Sequence, residues 1–155
     1  MSDRSALHLY VYAMPDEDRA AVRRGIEDHC LEPYDNSGTG IVLGMRYLTE
    51  EVPVGSAHDL AVHLLTQAPC TAFELWQDPV FQDAGHYVAH LPGIGVYEGE
   101  CDSYGSPLVK LTEVLDVLTV AAPNASPLPA RHVAHHVPFF TALRRAQAAR
   151  RPRAA

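Results

Sequence analysis

The sequence lacks any apolar run near the roughly 18 residues that suggest a membrane span. Its first 18 residues hold one seven-residue apolar-leaning stretch and no small-residue cleavage site, so a secretory leader is not expected and a cytoplasmic setting is. There is no C-x-x-C. The three cysteines, Cys30, Cys70 and Cys101, are odd in number and widely spaced, which argues against a zinc knuckle, a thioredoxin-type redox motif and a disulfide scaffold. Nucleophile elbows of the G-x-S-x-G kind are missing, and so is a glycine-rich loop followed by Lys-Ser or Lys-Thr. Lysine is nearly absent, Lys110 standing against eleven arginines. No acidic residue follows Asp116.

What is present is material for one ordinary domain. In 155 residues, 47% are hydrophobic and 20% charged, enough apolar surface to build a core. The net charge of −7 is split unevenly: residues 1–116 carry −13, and the six arginines beyond them give +6. An acidic body repels a phosphate backbone over most of its surface, which counts against a general nucleic-acid module. The basic end suits nucleic acid, an acidic partner, or the acidic body of its own or a neighbouring subunit.

Alternation of Leu7, Leu9 and Val11 with His8, Tyr10 and Tyr12 predicts a strand over 6–13. Val22, Ile26 and Cys30 form the stripe of a helix that follows Asp16-Glu17-Asp18. A second strand is expected over 41–48 and a short one over 52–54. The clearest helix begins at Ser56, a candidate cap with Asp59 three residues on, and carries Ala57, Leu60, Ala61, Leu64 and Leu65 on one face up to Pro69. Strands are expected at 71–76, 86–91 and 95–101, the last two a hairpin around Pro92-Gly93. Ser106-Pro107 then suit the start of a third helix striped by Leu108, Leu111, Leu115 and Leu118. This order predicts an α+β chain, a ferredoxin-like βαββαβ sandwich with an added hairpin and helix, or alternatively a thioredoxin-like order without its C-x-x-C. The expected organisation is a domain over 1–120, a linker with three prolines over 121–130 and a basic arm over 131–155.

Nine histidines raise the question of metal. His132, His135 and His136 converge on one ion if their segment is helical, but Pro129 and Pro138 flank it and no nearby acid is available to orient the rings. A stronger pattern is the face of the sheet opposite the helices. If Leu7, Leu9, Val11, Ile41, Leu43, Met45, Phe73 and Leu75 face the helices, the other side carries His8, Tyr10, Tyr12, Arg46, Glu74 and Trp76. An aromatic patch of that size marks a protein interface or is covered by the chain's own extension. The arm has a short apolar face, Phe139, Phe140 and Leu143, beside Arg144 and Arg145, and is expected to dock on its own sheet or a neighbour's.

The segment Phe73-Glu-Leu-Trp-Gln-Asp-Pro-Val-Phe81, the strand Gly95-Val-Tyr-Glu-Gly-Glu-Cys-Asp102 and the turn Asp102-Ser-Tyr-Gly-Ser-Pro107 resemble small actinobacterial proteins associated with plasmids, phages and other mobile elements. The likeness covers most of residues 7–116. It implies a bacterial cytoplasmic setting, brings no catalytic residue with it, and agrees with the arginine bias. The expectation is a non-enzymatic binding or accessory protein that acts through protein contacts, self-association among them, with no cofactor. Two other readings stay open: a small metal protein or enzyme using the His-rich positions, and a nucleic-acid regulator using the arginine arm.

Overall fold

The computed structural model describes residues 3–35, 40–112 and 130–150, with side chains in the last stretch from 138 to 149. Its centre is β1 (Arg4–Ala13). A single 3-10 turn (Asp16–Asp18) leads into α1 (Arg19–Asp28), followed by the two-residue β2 (Glu32–Pro33) and by β3 (Arg46–Pro53). Then come α2 (Ser56–Gln67), β4 (Ala72–Gln77), β5 (Gly85–Leu91), β6 (Gly95–Cys101) and α3 (Ala130–Arg150). The strands form one six-stranded sheet in the order β2-β3-β1-β4-β5-β6, every pair antiparallel.

The chain is therefore α+β, but its strand order does not confirm the ferredoxin-like arrangement. The strands expected at 41–48 and 52–54 are one strand, β3, which starts at Arg46 and runs antiparallel to β1. The strand before it is the two-residue β2, which pairs antiparallel with β3 and is not among the strands expected at that place. The thioredoxin-like order calls for a parallel pair, and none is present among the described strands. Residues 41–45 approach β3 as a loop. There the Val42 N–H donates to the Tyr47 hydroxyl at 2.8 Å, while Ile41, Leu43 and Met45 pack against the core.

The alternation of β1 sorts the core into two layers. Leu7, Leu9 and Val11 join Phe73, Leu75 and Val88 on one face of the sheet and bury Val22 and Ile26 of α1 and Leu60 and Leu64 of α2. The start of α2 differs from the expectation. Gly55, with φ 100°, occupies the cap position and Ser56 donates its hydroxyl back to the Pro53 carbonyl at 2.7 Å. The amides of Gly55 and Ala57 donate instead to the Gln77 side-chain oxygen at 3.1 and 3.3 Å, so the last residue of β4 caps the helix. Asp18 likewise turns inward and accepts from the Cys70 amide and the Thr71 hydroxyl, both at 2.9 Å, tying the α1 entry to the α2–β4 connection.

The hairpin of β5 and β6 extends the sheet by pairing with β4 from Gln77↔His86 to Phe73↔His90. Beyond it the expected helix start at Ser106-Pro107 is extended chain. Pro107 bridges to Cys101, and the Leu108 amide donates to the Glu100 carbonyl at 2.8 Å. Pro107 has no N–H of its own, so the pairing passes to its neighbour. Helical backbone begins only at Leu111 and Thr112; residues 113–120 of that expected helix and the linker, apart from Ala130, lie outside the described residues. Residues 130–150 are helical despite Pro138, which interrupts the hydrogen-bond ladder at one position inside α3.

Candidate functional site

The second face of the sheet gathers the aromatic residues. His8 and Trp76 are register partners and stack at 4.6 Å between ring centroids. Tyr10 continues the row at 5.9 Å from Trp76, and Tyr12 lies 6.0 Å from Tyr10. Arg46, opposite Tyr10 on β3, places its guanidinium 4.7 Å from the centroid of the exposed Tyr34 ring. The structure thus brings His8, Tyr10, Tyr12, Arg46, Glu74 and Trp76 onto one surface, as the strand alternation implies. Tyr87 and Tyr97 of the hairpin join them, which the sequence did not reveal because the hairpin register was unreadable.

This face is covered from two sides. From one side α3 lies on the chain's own sheet, burying Phe139 and Leu143, with Phe140 edge-on to Tyr97 at 4.7 Å. Each of these side chains contributes about 1.5–3 kcal/mol on leaving water. From the other side comes the turn after β6. The Asp102 carboxylate accepts from the amides of Tyr104 and Ser106 at 2.9 and 2.8 Å. The Ser106 bond leads in holding that carboxyl below its ordinary range. The turn lays Gly105 flat on Trp76, where a Cβ would come within 2.6 Å of the indole ring.

Between the two covers lies a cleft of about 560 Å³, lined among others by Tyr10, Trp76, Tyr104, Val109, Phe140 and Arg144. At its base the Glu74 carboxylate is almost out of solvent and fully engaged. One oxygen accepts from the Tyr12 hydroxyl, the other from the Tyr87 hydroxyl at 2.8 Å, and Gln147 of α3 donates to both at 3.2 and 3.1 Å. Burial first, and then the adjacent Glu74 charge, pushes both tyrosines well above the ordinary tyrosine range, so they stay protonated donors. Gln147 is the residue that sequence reasoning missed here. Its spacing of four from Leu143 and eight from Phe139 places it on the docking face of α3.

Other polar groups on this face are held inside. The His8 Nε2 faces Asp78 at 3.1 Å, and its Nδ1 has no hydrogen-bond partner among the described residues. Burial lowers the His8 pKa, against the opposing pull of Asp78. The Trp76 indole N–H and the Arg46 Nε are buried without a partner among the described residues. Cys101 is buried at the end of the same cluster, and burial raises its thiol to about 12. The thiol is therefore an inert packing group.

Side chains at His132, His135 and His136 lie outside the described residues, although their backbone is helical within α3. Among the described residues no group of three or more His, Cys, Asp or Glu is arranged to hold a metal ion. No described helix is long and apolar enough to cross a membrane.

Fold and cleft together define an α+β domain with an aromatic sheet face half roofed by its own C-terminal helix. No protein family, curated protein or solved structure matches this chain.

Proposed function

We propose that this chain is a non-enzymatic binding or accessory protein whose contact surface is the aromatic cleft between β1, β4, the turn over 102–107 and α3. The observation that carries this reading is the state of Glu74. As the carboxylate of the cleft, it has both oxygens occupied by Tyr12, Tyr87 and Gln147, which leaves it no free lone pair for acid–base work. What the cleft offers a visitor is ring surface and the Arg144 cation, the groups that dominate protein interfaces. The exposed Tyr104 and Val109 that line it extend that apolar surface.

The test is a photo-crosslinking amino acid placed at Val109. Irradiation in the host cell should give one discrete protein adduct that Arg144→Glu weakens. Absence of any protein adduct would overturn the reading. So would purified protein that carries a stoichiometric metal or small molecule and loses it on Tyr10→Ala.

A further inference from the structure

The turn between β4 and β5 holds a residue whose position its own chain does not explain. Val80 and Asp83 bridge each other, with amide-to-carbonyl distances of 3.2 and 3.0 Å, so Phe81 and Gln82 make a two-residue turn. Such turns need positive φ and normally take glycine, asparagine or aspartate there. Here Phe81 has φ 55°, a conformation that a bulky side chain adopts only under strain, and its side chain is 93% exposed. For the isolated chain both backbone and ring are worse off than a glycine would be.

The molecule also carries a hole without a knob. The cleft of about 560 Å³ is lined by rings, and no residue of the 78–84 turn lines it. We propose that Phe81 of one copy seats in the aromatic cleft of a second copy. The proposal rests on the protein-contact reading above and names its partner.

Charge supports the same pairing. Asp83, exposed two residues from Phe81, has no ion-pair partner among the described residues. Arg144 at the cleft and Arg145 beside it are exposed, and neither has an ion-pair partner among the described residues. Seating Phe81 therefore brings an acidic turn from the −13 part of one chain against the basic helix of another. The ring packs on the aromatic walls of the cleft, and the charges meet where Arg144 borders it. A two-fold axis gives two reciprocal copies of this contact; any other axis gives a ring or an open chain.

Sedimentation velocity on the full chain, up to about 100 μM, tests this. Wild-type protein should associate, and Phe81→Gly should stay monomeric while melting about 2–4 °C higher through relief of strain. Asp83→Arg should weaken association about tenfold, and adding Arg144→Asp to it should restore most of the loss. A Phe81→Gly protein that associates as tightly as wild type overturns the proposal, as does a wild type that is monomeric throughout. If that monomeric wild type still captures a different protein through the crosslinker at Val109, this inference fails and the protein-contact reading stands.

Discussion

Gln147 donates its amide to both oxygens of Glu74, across 73 residues of sequence. It is a polar bond that joins α3 to the middle of the sheet, and it completes a carboxylate already held by two tyrosines. Removing it should cost about 1–2 kcal/mol in Gln147→Ala. Glu74→Ala strips two buried hydroxyls of their acceptor and should cost about 3 kcal/mol or more. Because the residues share one network, the double variant should lose clearly less than the sum, by about 1 kcal/mol. Urea unfolding measures all three; simple additivity would show that the two side chains act independently.

Tyr12 and Tyr87 bind their protons more tightly in the folded chain than in the unfolded one, because of burial and the neighbouring Glu74. A raised pKa stabilises the fold fully below the unfolded value of 10.0 and ceases to do so as pH climbs beyond it. Stability should therefore fall above pH 10, by about 2.7 kcal/mol per pH unit from these two groups. Absorbance at the tyrosinate band should show their two increments only when the chain unfolds. In Tyr12→Phe one of them should disappear.

His8 behaves in the opposite sense. Burial depresses its pKa below 6.5, so the folded chain resists the proton that the unfolded chain accepts. Its contribution is complete above pH 6.5 and is lost as pH falls through that value toward the folded pKa. The Trp76 ring stacked on His8 reports the event, since it is the single tryptophan. Between pH 7 and 5 the denaturation midpoint should drop, and His8→Phe should remove that part of the slope. An unchanged slope would assign the acid sensitivity elsewhere.

Gly85 sits where β5 passes the end of β4. An added Cβ would come within 2.5 Å of the Gln77 carbonyl oxygen and 2.8 Å of the Cys101 sulfur. Gly85→Ala should destabilise the chain by about 1–3 kcal/mol, because backbone must shift to admit one methyl group. Thiol labelling gives a second readout. In native wild type the exposed Cys30 and Cys70 should react at pH 8 and Cys101 should not. In Gly85→Ala, Cys101 should become reactive well below the denaturation midpoint.

The legible parts of the chain are those whose periodicity one element sets. Leu60 and Leu64 mark α2 by their spacing of four, and β1 shows its two faces by strict alternation. β3 was obscured by a bulge. Its register with β1 jumps from Leu7↔Thr49 to Ser5↔Val52, so buried positions pass from odd numbers at Tyr47 to even at Val52. That change of parity made one strand look like two. The loop over 41–45 misleads in the opposite way, because its alternating apolar side chains cover the core outside any strand, with the Gly44 amide bonded to the Val11 carbonyl of β1. At the site, the aromatic face was readable from β1 and β4 alone. The burial of Glu74 was not, since Tyr12, Tyr87 and Gln147 come from three other elements and only tertiary packing assembles them.

β1 is synthesised before either strand that flanks it. Its partners lie at Arg46–Pro53 and Ala72–Gln77, and both are antiparallel to it. At about 5–20 residues per second, a ribosome needs several seconds to deliver the second of them. Until β3 follows, Leu7, Leu9 and Val11 have no ladder, and until β4 follows one edge of β1 stays open. Even α2, the segment with the strongest helical stripe, lacks its N-terminal cap until Gln77 arrives. The nascent chain therefore spends its early life with first two and then one open edge on an apolar strand. A holding chaperone, or a low rate of initiation that keeps neighbouring nascent chains apart, should raise the yield of this protein more than any change made near its C-terminus.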